Sequence, residues 1–120
     1  MSYASRKGYV AEATVKEYLS DRLGERLTRP RTTSRRGVDT GDLEGLPMVF
    51  SVKNRARLSL AEWVDELEAM VGRSPWETGV VVHKRPARAT GAGYYVTTSL
   101  GLLVPLVAAY RCLNAQAIHR

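Results

Sequence analysis

Residues 41–54, GDLEGLPMVFSVKN, constrain the chain more than any other stretch. Leu43 and then Met48, Val49, Phe50 and Val52 lie on either side of Gly45-Leu46-Pro47, which predicts two strands of an antiparallel hairpin with a short turn. Side chains alternate between faces along a strand, so Ser51 and Lys53 are expected to point one way, and Asp42 to share a face with Glu44. Folding about the turn brings Asp42 roughly level with Ser51. Asp42, Ser51 and Lys53 are thereby expected to converge near the end of an apolar strand.

The flanking segments supply the rest of the architecture. Residues 6–23 place Val10, Ala13 or Thr14, Val15, Tyr18 and Leu19 at helical spacing, and Gly24 is a stop signal. Residues 28–40, TRPRTTSRRGVDT, lack periodicity and read as a strand fragment leading into a basic loop. Residues 59–72 predict a second helix, with Ser59 as N-cap, Glu62 as its capping-box partner, and an apolar stripe of Leu60, Trp63 or Val64, Leu67, Met70 and Val71. The runs TGVVVHKR and GAGYYVTTS predict two more strands. From Ser99 to about Ala117 the chain reads as helical, with Pro105 interrupting the helix or opening its second portion. This order predicts one α/β domain spanning residues 1–120, a central mixed β-sheet flanked by helices.

Composition narrows the function. The 120 residues suffice for a core without disulfides or a structural metal. The lone Cys112 and the two histidines, His83 and His119, make no zinc-ligand cluster. The basic N-terminus has no apolar signal-like region, and the run LGLLVPLVAAY is short and holds a proline, so a cytosolic protein with a core or dimer-contact helix is expected. Net charge is +6 and unevenly spread. Residues 1–36 hold nine Lys/Arg against four Asp/Glu, residues 37–79 four against eight, and residues 80–120 five against none. Basic ends around an acidic centre suit a nucleic-acid enzyme, in which cations hold phosphates and carboxylates hold a metal.

Phosphodiester hydrolysis with Mg²⁺ needs converging oxygen ligands and a cation that stabilises charge. Asp42 and Lys53 answer those needs, and Glu12 in RKGYVAE adds a carboxylate on the first helix. In that order RKGYVAE, GDLEGL, VFSVKN and, more weakly, VVVHKR resemble the PD-(D/E)XK nuclease superfamily, and within it the archaeal-type Holliday junction resolvases and their bacteriophage relatives. The resemblance runs from residue 5 to about 98. It implies a restriction-endonuclease-like fold and a homodimer that resolves four-way DNA junctions by paired nicks with Mg²⁺ or Mn²⁺, through a metal-activated water.

By position, the resemblance makes Glu12 and Asp42 metal ligands and Lys53 the motif lysine. Ser51 stands where an acidic ligand belongs. Three explanations stay open: deliberate replacement of a glutamate to hold the protein inactive, supply of the missing oxygen by Glu44 or Glu12, or natural loss of catalysis with DNA binding retained. Candidate phosphate contacts are Arg6, Lys7, Arg35, Arg36, Arg55, Arg57, Lys84, Arg85 and Arg88. Trp63, Met70 and the apolar C-terminal segment are candidate dimer contacts, with core packing the alternative for each. A small basic protein-interaction module is the rival from another class; it predicts no salt-dependent DNA binding.

Overall fold

A computed structural model describes residues 3–30, 41–85 and 90–118. Three helices and three strands follow one another as α1 (Tyr3–Leu23), β1 (Val49–Lys53), α2 (Leu60–Arg73), β2 (Gly79–His83), β3 (Tyr95–Thr97) and α3 (Leu100–Ile118). The strands form one mixed sheet in the order β1-β2-β3. β1 runs parallel to β2, with Ser51 beside Val81 and Lys53 beside His83, and β3 runs antiparallel to β2. Gly79 permits this close start of the parallel pair, because a Cβ there would stand 2.8 Å from the Val49 carbonyl oxygen.

The expected hairpin is present only as isolated bridges. Leu43 pairs with Phe50, and Thr28 pairs with Glu44, so residues 28 and 41–44 extend the sheet beyond β1 without forming full strands. Gly41, at φ 122°, enters this edge in a conformation that disfavours other residues, and a Cβ would meet the Phe50 carbonyl oxygen at 3.0 Å.

Strand alternation divides the interior into two cores. Phe50 and Val52 of β1 and Val80 and Val82 of β2 pack with Leu43 against Ala11 and Val15 of α1. Val49 and Val81 face the other way, onto Trp63, Leu67, Met70 and Val71 of α2. Each of the buried Val, Leu, Phe and Met side chains contributes about 1.5–3 kcal/mol relative to an exposed position. Of the two readings for Trp63 and Met70, dimer contact or core, the core is what the fold shows, because the α2 stripe they share with Leu67 is what covers the sheet.

Three local expectations change for related reasons. On α1 the packed face is centred on Ala11 and Val15, leaving Val10 54% exposed. Ser59 makes no side-chain cap to α2; its carbonyl accepts from the Trp63 N–H instead. Pro105 lies inside an unbroken α3. That helix is capped by Ser99, whose Oγ accepts from the Leu102 N–H at 3.3 Å, and is tied to the sheet by a bond from the Thr78 hydroxyl to the Leu102 carbonyl. Leu102 and Leu106 pack on the two cores, whereas every residue from 107 to 117 is exposed. By length and composition alone α3 could cross a membrane, with mean hydropathy 1.2 over Leu100–Ala117.

Candidate active site

The C-terminal ends of β1 and β2 lie together because the two strands are parallel, and this end of the sheet carries the charged groups. Lys53, Asn54, Arg55 and Arg57 leave β1 there, and Lys84 and Arg85 leave β2. The Lys84 N–H donates to the Lys53 carbonyl at 3.1 Å. The start of α1 joins them, since Asn54 Nδ2 donates to the Lys7 carbonyl at 3.4 Å.

A cleft of about 310 Å³ opens between α1 and this sheet end, lined in part by Tyr9, Glu12, Arg29, Asp42, Lys53 and Arg55. Asp42 is held by its backbone and its side chain. Its N–H donates to the Phe50 carbonyl at 2.7 Å, and its Oδ2 accepts from the Val52 N–H at 2.6 Å. Glu12 approaches from α1, one residue along from the packed Ala11, and pairs with Arg29 Nε at 2.6 Å. The Arg29 guanidinium also lies over the Tyr9 ring, 4.4 Å from its centroid. Burial raises the Glu12 pKa above the ordinary carboxylate value, and the neighbouring charge of Asp42 raises it further; Arg29 pulls it back down. The two carboxylates thus repel each other across one cleft.

Lys53 lies on the rim of this cleft and of a second concavity of about 360 Å³ on the α2 side. There its Nζ meets Glu66 Oε2 at 3.2 Å, a partner the sequence reading did not foresee. Ser51 does not join Asp42. It is 1% exposed, in register with Val81 and on the β1 face that Val49 presents to α2, whereas Asp42 and Glu12 lie on the α1 side. The expected convergence of Asp42, Ser51 and Lys53 therefore fails at Ser51. Glu44 is exposed, at the Thr28 bridge.

Of the expected phosphate contacts, Arg6, Arg55 and Arg57 are exposed, and Lys7, Lys84 and Arg85 are half-buried. Arg85 is additionally stacked over Tyr95 at 5.4 Å. Arg35, Arg36 and Arg88 lie outside the described residues. Arg29 was missed by sequence reasoning, being one cation among several in an aperiodic stretch; only the bridge of Thr28 to Glu44 brings it over the cleft. His83 was also missed. It is buried among Trp63 and Tyr95, its Nε2 bonds Thr97 Oγ1 at 2.8 Å, and its Nδ1 has no partner.

Two carboxylates in one cleft are a hard-oxygen donor set. Mg²⁺ commonly takes one or two protein carboxylates and keeps its remaining positions for water and substrate phosphate, so Glu12 and Asp42 fit such an ion. Among the described residues, no group of three or more His, Cys, Asp or Glu side chains converges. Compared with protein-family models, curated proteins and solved structures, the chain shows no significant match.

Proposed function

We propose that the chain is a metal-dependent, structure-selective DNA endonuclease of the PD-(D/E)XK class, with a restriction-endonuclease-like fold and activity on four-way junctions. The observation that carries this reading is the cleft shared by Glu12, Asp42 and Lys53, residues widely separated in sequence. The order helix with glutamate, aspartate hydrogen-bonded to β1, strand with lysine, helix and second parallel strand further supports it.

In this reading Glu12 and Asp42 hold Mg²⁺, or Mn²⁺ in its place, which supplies Lewis-acid stabilisation of charge at the scissile phosphate. Lys53 leaves Glu66 and neutralises charge on the same phosphate. Arg55, Arg57, Arg6 and Lys7 hold the flanking backbone, a sequence-independent form of recognition that suits branched DNA. Ser51 has no part in the cleft. Paired nicks across a junction require two copies of the site, one for each strand cut.

A non-catalytic DNA-binding protein is the second reading. It is favoured by the bound state of the charged groups, with Arg29 against Glu12 and Lys53 against Glu66. The deciding experiment is cleavage of a labelled four-way junction with Mg²⁺, beside gel-shift binding over a range of salt. Cleavage that disappears in Asp42→Asn with binding retained supports the nuclease. Binding without cleavage leaves the second reading, and no salt-dependent binding removes both in favour of a protein-interaction module.

A further inference from the structure

Among the described residues, three cations line the carboxylate cleft, Arg29, Lys53 and Arg55. Arg29 makes two contacts there, of different kinds. Its Nε bonds Glu12 Oε2 at 2.6 Å with the edge of the guanidinium, and the face of the same group lies over the Tyr9 ring, 4.4 Å from the centroid. Tyr9 and Glu12 are three positions apart on α1 and so lie on one side of that helix.

The two contacts differ in how easily they are given up. The ion pair is partly open to water, its side chains 38% and 17% exposed, and such pairs are weak because solvent screens them. The stacking contact does not use the N–H edge, so the guanidinium can release Glu12 and stay over Tyr9.

Taking the cleft as the nuclease site, we infer that Arg29 is a phosphate clamp released by metal: it yields Glu12 to a divalent cation and, kept in the cleft by Tyr9, turns its N–H edge to a backbone phosphate of the bound DNA. The charge balance of the cleft points the same way. Three cations against two carboxylates leave it at +1, and a divalent ion raises that to +3. Among the described lining residues no further acid is there to receive Arg29, so its new counter-ion comes with the ligand, and the planar fork of arginine matches a phosphate.

Asp42 repels the Glu12 charge and Arg29 attracts it, so a guanidinium that left without replacement would set two carboxylates against each other. Arg29 therefore exchanges one anion for another. Metal and DNA are thereby linked, each favouring the other's binding by the same factor. A permanent structural ion pair makes no such link.

The test compares wild type with Arg29→Met, which keeps an apolar side chain of similar length, and with Arg29→Gln, which keeps a donor for Glu12 without the charge. Mn²⁺ affinity is read by electron paramagnetic resonance without DNA. Removing the competing cation should tighten Mn²⁺ binding about fivefold in both variants, with circular dichroism unchanged. The salt dependence of four-way junction binding is then measured by fluorescence anisotropy with and without Ca²⁺, a hard cation that takes the same oxygen ligands. With Ca²⁺ the slope of log affinity against log salt should be shallower in the variants by about one, the share of one phosphate contact; without Ca²⁺ the slopes should agree.

Mn²⁺ binding that is unchanged or weaker in the variants overturns the inference. So does a slope difference equally present without Ca²⁺ or absent in both conditions, and so does loss of folding in both variants, which would make Arg29 a structural residue. A wild-type chain that binds Mn²⁺ and the junction yet gives one of these results loses only the clamp. One that fails to bind either loses the nuclease reading and the clamp together.

Discussion

Replacing Ser51 with glutamate puts the placement of this residue at risk. Ser51 is 1% exposed, between the covering helix α2 and its register partner Val81. An ionised carboxylate taken into such surroundings costs several kcal/mol even after relaxation, and overpacking adds about 1–3 kcal/mol. A total of about 4–6 kcal/mol is comparable with the roughly 5–15 kcal/mol that holds a domain folded. Ser51→Glu should therefore lower the urea midpoint by about 2 M or more, or prevent folding, while Ser51→Ala should change stability by about 1 kcal/mol or less. The assay is urea unfolding followed by circular dichroism, with and without Mn²⁺. If Ser51→Glu unfolds at the wild-type midpoint, and Mn²⁺ stabilises it more than wild type, then position 51 opens onto the carboxylate cleft and the separation of the two sheet faces is wrong.

Glu12→Gln tests the carboxylate pair. Because the folded-state pKa of Glu12 is raised above 4.5, its contribution to stability is present below that pH and lost as pH rises through the folded value; the variant should gain stability over wild type toward pH 8 while losing junction cleavage. Parallel pH profiles for the two proteins would count against both the burial of Glu12 and its repulsion by Asp42. His83 has the opposite dependence on acid. Burial holds its pKa below 6.5, so stability present above that pH is lost as pH falls through the lowered folded value, and His83→Gln should flatten that part of the unfolding profile. An unchanged slope would mean that the ring is not buried as a neutral base. Gly79→Ala should cost about 1–3 kcal/mol in chemical unfolding by pushing β1 from β2, and a neutral result would contradict their close approach.

The parts of this structure that follow local pattern were legible in the sequence. α2 was readable because Trp63, Leu67, Met70 and Val71 recur at the helical period, and β2 because GVVVH is short, β-branched and apolar. The hairpin was only half legible. Leu43 and Phe50 do pair, but which face of β1 meets the carboxylates depends on where α1 and α2 lie, and that is a tertiary fact. Strand alternation correctly separates Ser51 from Phe50 and Val52, yet it cannot say which set faces Asp42. Asp42 was nominated by its place beside the strand lysine and Glu12 as a carboxylate on the first helix, and the cleft brings them together; Arg29 and Glu66 gave no sequence signal because their partners are 17 and 13 residues away.

The charge arrangement in the cleft is difficult to account for by stability alone. A structural ion pair linking α1 to the segment at Thr28 needs only Glu12 and Arg29. Asp42 has a structural duty of its own, accepting the Val52 N–H, but an asparagine carbonyl oxygen could accept that bond without repelling Glu12. Packing does not call for Glu12 either, since Ala11 and Val15 supply the α1 contacts with the sheet. The fold thus keeps two carboxylates within mutual repulsion beside the sheet end that carries Lys53 and Arg55. Perturbed carboxylates in a cleft are a physical mark of function, although ion-pair networks also produce them. Here the partner that relieves the repulsion, Arg29, reaches Glu12 from outside the packed core and is itself 38% exposed, so a cation drawn to both carboxylates competes with a solvent-accessible guanidinium rather than with a buried one.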